Sequence, residues 1–172
     1  MSGGPARRWR AAQITVSDSR DAGDDPSGDV IAQRLEQLPA DVVSRSTVAD
    51  SIEEIRAGVS KCLGTADLIV LTGGTGLGPR DVTPQAVRPL LDYEVPGLVE
   101  AMRHDGMRST PLAMLSRQVA GVANATLVLS LPGSPRAVRE CLDAVWRALP
   151  HALSLLQGDA HHLESQVHDE SD

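Results

Sequence analysis

The sequence predicts a single α/β domain in which helices cover both faces of a mostly parallel sheet, a three-layer α/β/α arrangement. Three observations carry that expectation. Strand-like and helix-like patterns alternate along a chain of 172 residues, a length that suits one compact domain. Leu68-Ile69-Val70-Leu71 is a short continuous apolar run, the pattern of a strand covered on both faces. A glycine-rich turn follows that run at once, at the strand end where such a sheet places its ligand. Phe is absent and aromatics make up only 2% of the chain, so the core has to be built from Leu, Val, Ile and Ala.

Trp9–Val16 reads as the first buried strand and ends in the polar turn Ser17-Asp18-Ser19-Arg20. The Gly, Asp and Pro density over 21–28 marks a loop. Ser27 is expected to cap a helix whose apolar residues Val30, Ile31, Leu35 and Leu38 share one face, with Pro39 ending it. Residues 41–48 are β-branched and strand-like. Ser51 and Glu54 make a capping box for a helix that buries Ile52, Ile55, Val59, Cys62 and Leu63. Beyond the glycine-rich turn, Thr83-Pro84 supplies the N-cap and first turn of a helix reaching Leu91. A further helix covers 97–107, and Pro111 opens a helical turn toward Gln118. Residues 119–131 read as one or two strands interrupted at Asn124, closing in the turn Leu131-Pro132-Gly133-Ser134-Pro135. The last helix carries Val138, Cys141, Leu142, Val145, Trp146 and Leu149 on one stripe, is kinked or split by Pro150, and stops at Gly158.

The expected domain spans 9–158, after a flexible leader over 1–8 and before a disordered acidic tail over 159–172. That tail holds Asp159, Glu164, Asp169, Glu170 and Asp172 without a Lys or Arg, and so accounts for most of the net charge of −7. The nearly neutral remainder has no basic face of the kind that neutralises a phosphate backbone, which argues against nucleic-acid binding. No apolar run approaches membrane-spanning length, so neither a membrane partner nor a signal segment is expected and the cytoplasm is the expected compartment. Cys62 and Cys141 fall on helical stripes and read as reduced core thiols. His104 and His151 sit on helices with no Cys or acid at ligand spacing, and the other three histidines lie in the tail, so a histidine metal site is not expected.

The chemistry concentrates at Thr72-Gly73-Gly74-Thr75-Gly76. Its glycines allow successive backbone N–H groups to turn toward an anion, although a tight turn without a ligand fits the composition equally well. The loop is neither a Walker A motif nor Gly-x-Gly-x-x-Gly. Arg80 and Asp81 follow closely: the guanidinium suits two-point contact with phosphate, and the carboxylate suits Mg2+ or the start of the next helix. Asp50, after the second strand, would reach the same sheet edge, where two carboxylates can share Mg2+ with substrate phosphates. In isolation it also fits a helix-entry turn.

In their order and spacing, Ile14-Thr15-Val16-Ser17-Asp18, Asp29 after Ser27-Gly28, the Leu71 to Gly76 run, Pro79-Arg80-Asp81-Val82-Thr83-Pro84, Val95-Pro96-Gly97, Met114-Leu115-Ser116-Arg117 and Leu131-Pro132-Gly133-Ser134-Pro135 resemble the MoaB/Mog family of molybdenum-cofactor biosynthesis, which includes the gephyrin G domain. The resemblance covers roughly residues 10–158. It implies a MogA-like molybdopterin-binding fold, a homotrimer, and transfer of AMP from Mg-ATP to the molybdopterin phosphate with release of pyrophosphate. It further implies Asp50 and Asp81 as catalytic residues acting through Mg2+. It places Thr72, Gly73, Gly74, Thr75, Gly76, Arg80, Ser116, Ser130, Pro132 and Gly133 against the substrate, and Ser17, Asp18, Ser27 and Gly28 near the nucleotide. A protein that inserts molybdenum is the implied partner. Two positions depart from the adenylylating pattern: Ala49 replaces a common Pro, and Ser130 a common Asn, which removes the amide's paired donor and acceptor. A non-catalytic molybdopterin-binding or scaffolding paralogue is the alternative from another class, and a nucleotide pyrophosphate hydrolase a third. Two acids facing an anionic ligand favour the transferase.

Overall fold

A computed structural model of the chain describes residues 8–18 and 24–158. Most of the expected leader and all of the tail lie outside the described residues, as do Ser19 and Arg20. In chain order the elements are β1 (Trp9–Val16), α1 (Pro26–Leu35), β2 (Ala40–Val48), α2 (Ile52–Cys62), β3 (Leu68–Thr72), α3 (Thr83–Val87), β4 (Tyr93–Glu94), α4 (Pro96–Ser109), β5 (Ala120–Ala123), β6 (Thr126–Leu131), α5 (Pro135–Val145) and α6 (Leu149–Leu156). Short 3-10 turns at Arg88–Leu90 and Pro111–Leu115 complete it.

The sheet runs β2-β1-β3-β6-β5-β4. β2, β1, β3 and β6 are parallel, while β5 returns antiparallel against β6 and β4 pairs antiparallel with β5. Asn124 and Ala125 make the β5–β6 hairpin with φ of +48° and +60°, the left-handed region that a two-residue hairpin needs at both central positions. The β1–β2 register shifts between Ala11 and Ala12, a bulge in the pairing with the edge strand.

Alternate residues of the central strands feed two cores. Ala11, Leu68, Val70, Leu127, Leu129 and Leu131 pack with α1, α4, α5 and α6. Ala12, Ile14, Val16, Ile69, Leu71 and Val128 pack with α2 and α3 on the other face. This period-two division confirms the three layers, and β3 is buried along its whole length as its apolar run implied.

Several local expectations are corrected. α1 is capped by Asp25, whose carboxylate accepts from Gly28 N, because the helix begins one residue before Ser27. It ends at Leu35, and Leu38 reaches the core from the following turn. Thr83 is the first residue of α3 and not its cap, and that helix stops at Val87. β4 was not expected: two exposed residues carry no periodic signal. The C-terminal helix is broken at 146–148, before Pro150, which then occupies the first turn of α6 where a missing N–H costs nothing. Ser51 does accept from Glu54 N at 3.2 Å and starts α2 as expected. Cys62 and Cys141 are both buried and unpaired.

At the edge away from the parallel strands' carboxyl ends, Asp67 is 2% exposed and is held by Arg10 N at 2.8 Å, Arg10 Nη2 at 3.0 Å and Gln157 Nε2 at 3.1 Å. This buried carboxylate ties β1, β3 and the end of α6 together, away from the functional edge.

Candidate functional site

The parallel register brings Thr15 opposite Thr72, Thr72 opposite Leu131, and Val16 opposite Val48. The turns that follow β1, β2, β3 and β6 therefore emerge side by side at one edge. Ser17-Asp18, Ala49-Asp50, Gly73-Gly74 and Pro132-Gly133 meet there although 115 positions separate the first from the last.

The glycine-rich loop is held by its carbonyls. Gly73 O accepts from Thr83 Oγ1 at 2.8 Å and Gly74 O from Thr83 N at 3.0 Å. Thr75 O accepts from Arg117 N and Gly76 O from Arg117 Nε, both at 2.8 Å. Gly73 N donates to Leu131 O, and the Thr72 hydroxyl donates to Pro132 O at 2.7 Å, fastening the loop to the β6 turn. The N–H groups of Gly74, Thr75 and Gly76 have no acceptor among the described residues. A loop whose acceptors are satisfied internally and whose donors are left over has the chemistry to receive an anion. Gly73 (φ +101°) and Gly74 (φ +64°) supply the backbone conformation, and a Cβ on Gly73 would stand 2.4 Å from Val16 O.

Three carboxylates gather beside this loop. Asp18 N donates to Asp50 Oδ2 and Asp50 N to Asp18 Oδ1, each at 3.0 Å, a reciprocal lock between the ends of β1 and β2. Arg80 Nη1 reaches Asp18 Oδ2 at 3.1 Å. Asp81 is fixed by Gly78 N at 2.8 Å. A Cβ on Gly76 or Gly78 would come within 2.8 Å of the same Asp81 oxygen. Burial, joined by the negative charges of Asp18 and Asp81, pushes the Asp50 carboxyl above its ordinary value. Asp50 and Asp81, expected from the sequence as a pair, are thus close enough to repel.

Among the described residues no three His, Cys, Asp or Glu side chains could hold a metal ion by themselves. The donor set nevertheless suits Mg2+ shared with a substrate, which needs one or two hard carboxylates and phosphate oxygens. Burial is the main cause of the raised Asp50 pKa, and a cation would relieve the smaller part contributed by the charges of Asp18 and Asp81.

A cleft of about 1100 Å3 opens along this edge, lined by Ser17, Asp18, Ser27, Thr72, Gly73 and Gly133 among the expected residues. Its far wall was missed from sequence. Asp25 accepts from the Thr15 hydroxyl at 2.7 Å while capping α1, and Arg45 on β2 crosses to Asp29 at 2.6 Å and Asp25 at 3.4 Å. Asp25 before Pro26 was a legible cap signal, whereas nothing local says that Arg45 reaches α1. Among the described lining residues Arg45 is the one basic side chain, against Asp18, Asp24, Asp25, Asp29 and Glu54. Ser27 donates to Gly133 O at 2.6 Å, joining α1 to the β6 turn. Gly28 is buried with no room for a side chain: a Cβ would stand 2.4 Å from Gln13 Nε2 and closer still to Asp25.

Pro132 and Ser116 lie on a second, smaller pocket of about 180 Å3 between α4, α5 and the Pro111–Leu115 turn. The Pro132-Gly133 turn is therefore a partition, Gly133 facing the large cleft and Pro132 the small pocket. The Ser116 hydroxyl is buried there without a partner among the described residues. Ser130 is fully buried, and its hydroxyl accepts from Val119 N at 2.7 Å and donates to Val119 O at 3.1 Å, so it braces the residue before β5 against β6 and its one donor is engaged there.

Residues 12–151 match the family model described as a probable molybdopterin binding domain. The chain is 36% identical over 152 residues to the molybdopterin adenylyltransferase of Helicobacter pylori, strain J99, covering 85% of this chain and 86% of that one. It is 40% identical over 154 residues to a molybdenum cofactor biosynthesis bifunctional protein of Synechococcus elongatus, covering 88% of this chain but 48% of the relative, so it spans about half of that protein's length. Among solved structures it superposes on the molybdopterin biosynthesis enzyme MoaB of Thermus thermophilus with a TM-score of 0.81 and 47% identity, covering 87% of this chain and 97% of that one.

Proposed function

The chain belongs to the molybdopterin-binding family of molybdenum cofactor biosynthesis proteins, and from that membership we propose that it is a molybdopterin adenylyltransferase, moving AMP from Mg-ATP onto the molybdopterin phosphate. The observation that carries this reading is the loop after β3, whose carbonyls are tied back while the amides of Gly74, Thr75 and Gly76 remain without acceptors beside Asp50, Asp81 and Arg80.

The large cleft takes the nucleotide along Ser17, Asp18 and Ser27, with Gly28 buried directly behind Ser27, and the loop amides take its phosphates. Arg80, exposed and paired with Asp18, exchanges that carboxylate for a phosphate oxygen when the nucleotide arrives. Asp50 and Asp81 would hold Mg2+, which supplies charge screening between the phosphate groups. The pterin lies across the Pro132-Gly133 partition toward Ser116. One oxygen of its phosphate attacks the α-phosphorus of ATP, the bond from that phosphorus to the bridging oxygen breaks, and the electron pair leaves with pyrophosphate. No protein nucleophile is required, because positioning and charge stabilisation supply the catalysis. The active unit is a single domain over 9–158, assembled as a homotrimer in which exposed Leu112, Met114 and Leu115 are covered, and its product passes to a molybdenum-inserting protein.

The test is incubation of the purified protein with Mg-ATP and molybdopterin, followed by assay for pyrophosphate and for the AMP-pterin adduct. Both should form in equal amounts. A second reading, a pterin-binding protein without transferase activity, is favoured by the engaged hydroxyl of Ser130, which leaves one fewer ligand contact. Tight pterin binding without adduct would establish that reading. ATP cleavage without pterin would point to a hydrolase.

A further inference from the structure

Arg117 stands at the junction between the Pro111–Leu115 turn and β5, and three of its donors converge on the loop. Its N–H bonds Thr75 O, its Nε bonds Gly76 O, and its Nη2 makes a short bond to Asp81 O. Nε and Nη2 lie on one edge of the planar guanidinium, so a single rigid fork spans the glycine turn and the backbone of the acid that follows it. No carboxylate pairs with Arg117 among the described residues. The other arginines at this edge are neutralised: Arg80 by Asp18, and Arg45 by Asp25 and Asp29.

We propose that Arg117 is the positioning residue of the anion loop, setting the aim of its amides and carrying positive charge to the peptide that joins Gly76 to Leu77. The charged donor on the Gly76 carbonyl polarises the peptide joining Gly76 to Leu77, so the side-chain charge reaches the Leu77 amide at the end of the loop, while the Gly76 amide is polarised by the neutral main-chain N–H of Arg117 on the Thr75 carbonyl. Each makes the N–H on the far side of its peptide a stronger donor to an anion. The guanidinium acts through carbonyls and makes no ion pair with Asp50 or Asp81 among the described residues. The same fork holds the Asp81 backbone, and Gly78 N holds the Asp81 carboxylate, so loop and acid move as one unit. Ligands of this device are polyphosphates in general, and the side chain itself need not touch them.

The inference rests on the proposed activity only in taking the loop to hold phosphate. It is tested with inorganic tripolyphosphate as the probe, by calorimetric titration of the full chain, with Tm measured for each variant. Arg117→Ala should bind roughly tenfold more weakly than the parent, the loss expected when charge-assisted bonds are removed, and millimolar guanidinium should restore much of the affinity. Arg117→Lys keeps the charge but not the fork, and should bind at least ~3-fold more weakly, with a Tm near that of the parent. A lowered Tm with unchanged tripolyphosphate affinity, or a loss that guanidinium does not restore, overturns the proposal. So does failure of the parent to bind the probe. If Arg117→Ala does not fold, Arg117→Lys decides alone: parental affinity in that variant refutes the role. Failure to form an AMP-pterin adduct would sink the transferase reading while leaving this comparison to stand or fall by itself.

Discussion

Replacing Gly76 with alanine isolates the geometry of the Asp81 carboxylate from the stability of the fold. The backbone at Gly76 lies outside the left-handed region, so an added methyl meets steric conflict only with a neighbour, and that neighbour is Asp81 Oδ2 at 2.8 Å with Cγ at 3.4 Å. Restoring ordinary contact requires the carboxylate to retreat by about 0.6 Å, the gap between 2.8 Å and the 3.4 Å at which such contacts become ordinary. The same oxygen accepts from Gly78 N at 2.8 Å, and that retreat stretches the bond toward the limit at which it ceases to count. A charge-assisted bond at a half-exposed site contributes about 1–2 kcal/mol, which corresponds to roughly 5- to 30-fold in a rate. We therefore expect Gly76→Ala to lower kcat/KM for adenylyl transfer by about tenfold, read as initial pyrophosphate release under Mg-ATP and molybdopterin. Tm should fall by no more than a few degrees, since neither core is touched. Parental kcat/KM in the folded variant would show that the position of Asp81 does not matter to the chemistry.

Gly73→Ala should behave oppositely: a Cβ would stand 2.4 Å from Val16 O at a φ of +101°, so a cost of at least ~2 kcal/mol in urea denaturation is expected, whereas Gly133→Ala, meeting only Gly73 Cα at 3.5 Å, should denature within ~0.5 kcal/mol of the parent. Asp81→Asn should abolish adduct formation while pterin affinity, measured by fluorescence titration, stays within about threefold; unchanged turnover would remove Asp81 from the mechanism. The raised Asp50 pKa makes its ionised form a cost to the native state: that cost is absent below the ordinary value of 3.8 and fully present once pH exceeds the raised value. Asp50→Asn should accordingly raise Tm at neutral pH, with the difference closing as pH falls through the raised value and gone below 3.8, and a difference that grows on acidification would contradict the assigned cause. The Cys141 thiol, pushed up to about 11 by burial, should resist alkylation at pH 8 until the protein unfolds, as followed by mass spectrometry in a urea series.

The sequence by itself determined the layering and the location of the chemistry. An apolar run with no polar interruption, Leu68 to Leu71, can only be satisfied where both sheet faces are covered, and a glycine-rich turn directly after it has to fall at the carboxyl edge. The resemblance placed Asp50 and Asp81 together at that edge, and the structure brings their charges within reach of each other. Boundaries were less legible where two signals competed. Asp25 and Ser27 can both cap a helix, and the cap went to Asp25 because its carboxylate also receives the Thr15 hydroxyl from β1. Ser130 shows the opposite limit. Its position in the motif pointed to a ligand, but a hydroxyl on a fully buried strand residue is satisfied by whatever backbone lies across from it, here both polar groups of Val119.

Only the tertiary structure could decide the roles of Arg45 and Arg117. A long cationic side chain leaves no periodic trace in a sequence, and its partner is whichever carboxylate or carbonyl the packed chain brings within about 3 Å. For Arg45 those are carboxylates on α1 and its cap, across the cleft from its own strand. For Arg117 they are loop and turn carbonyls some forty residues earlier, whose satisfaction leaves the Gly74 to Gly76 amides free for an anion. Local patterns report which face a residue turns to the core, while hydrogen-bond partnership across the sheet depends on strand order and register, which appear only once the chain has folded.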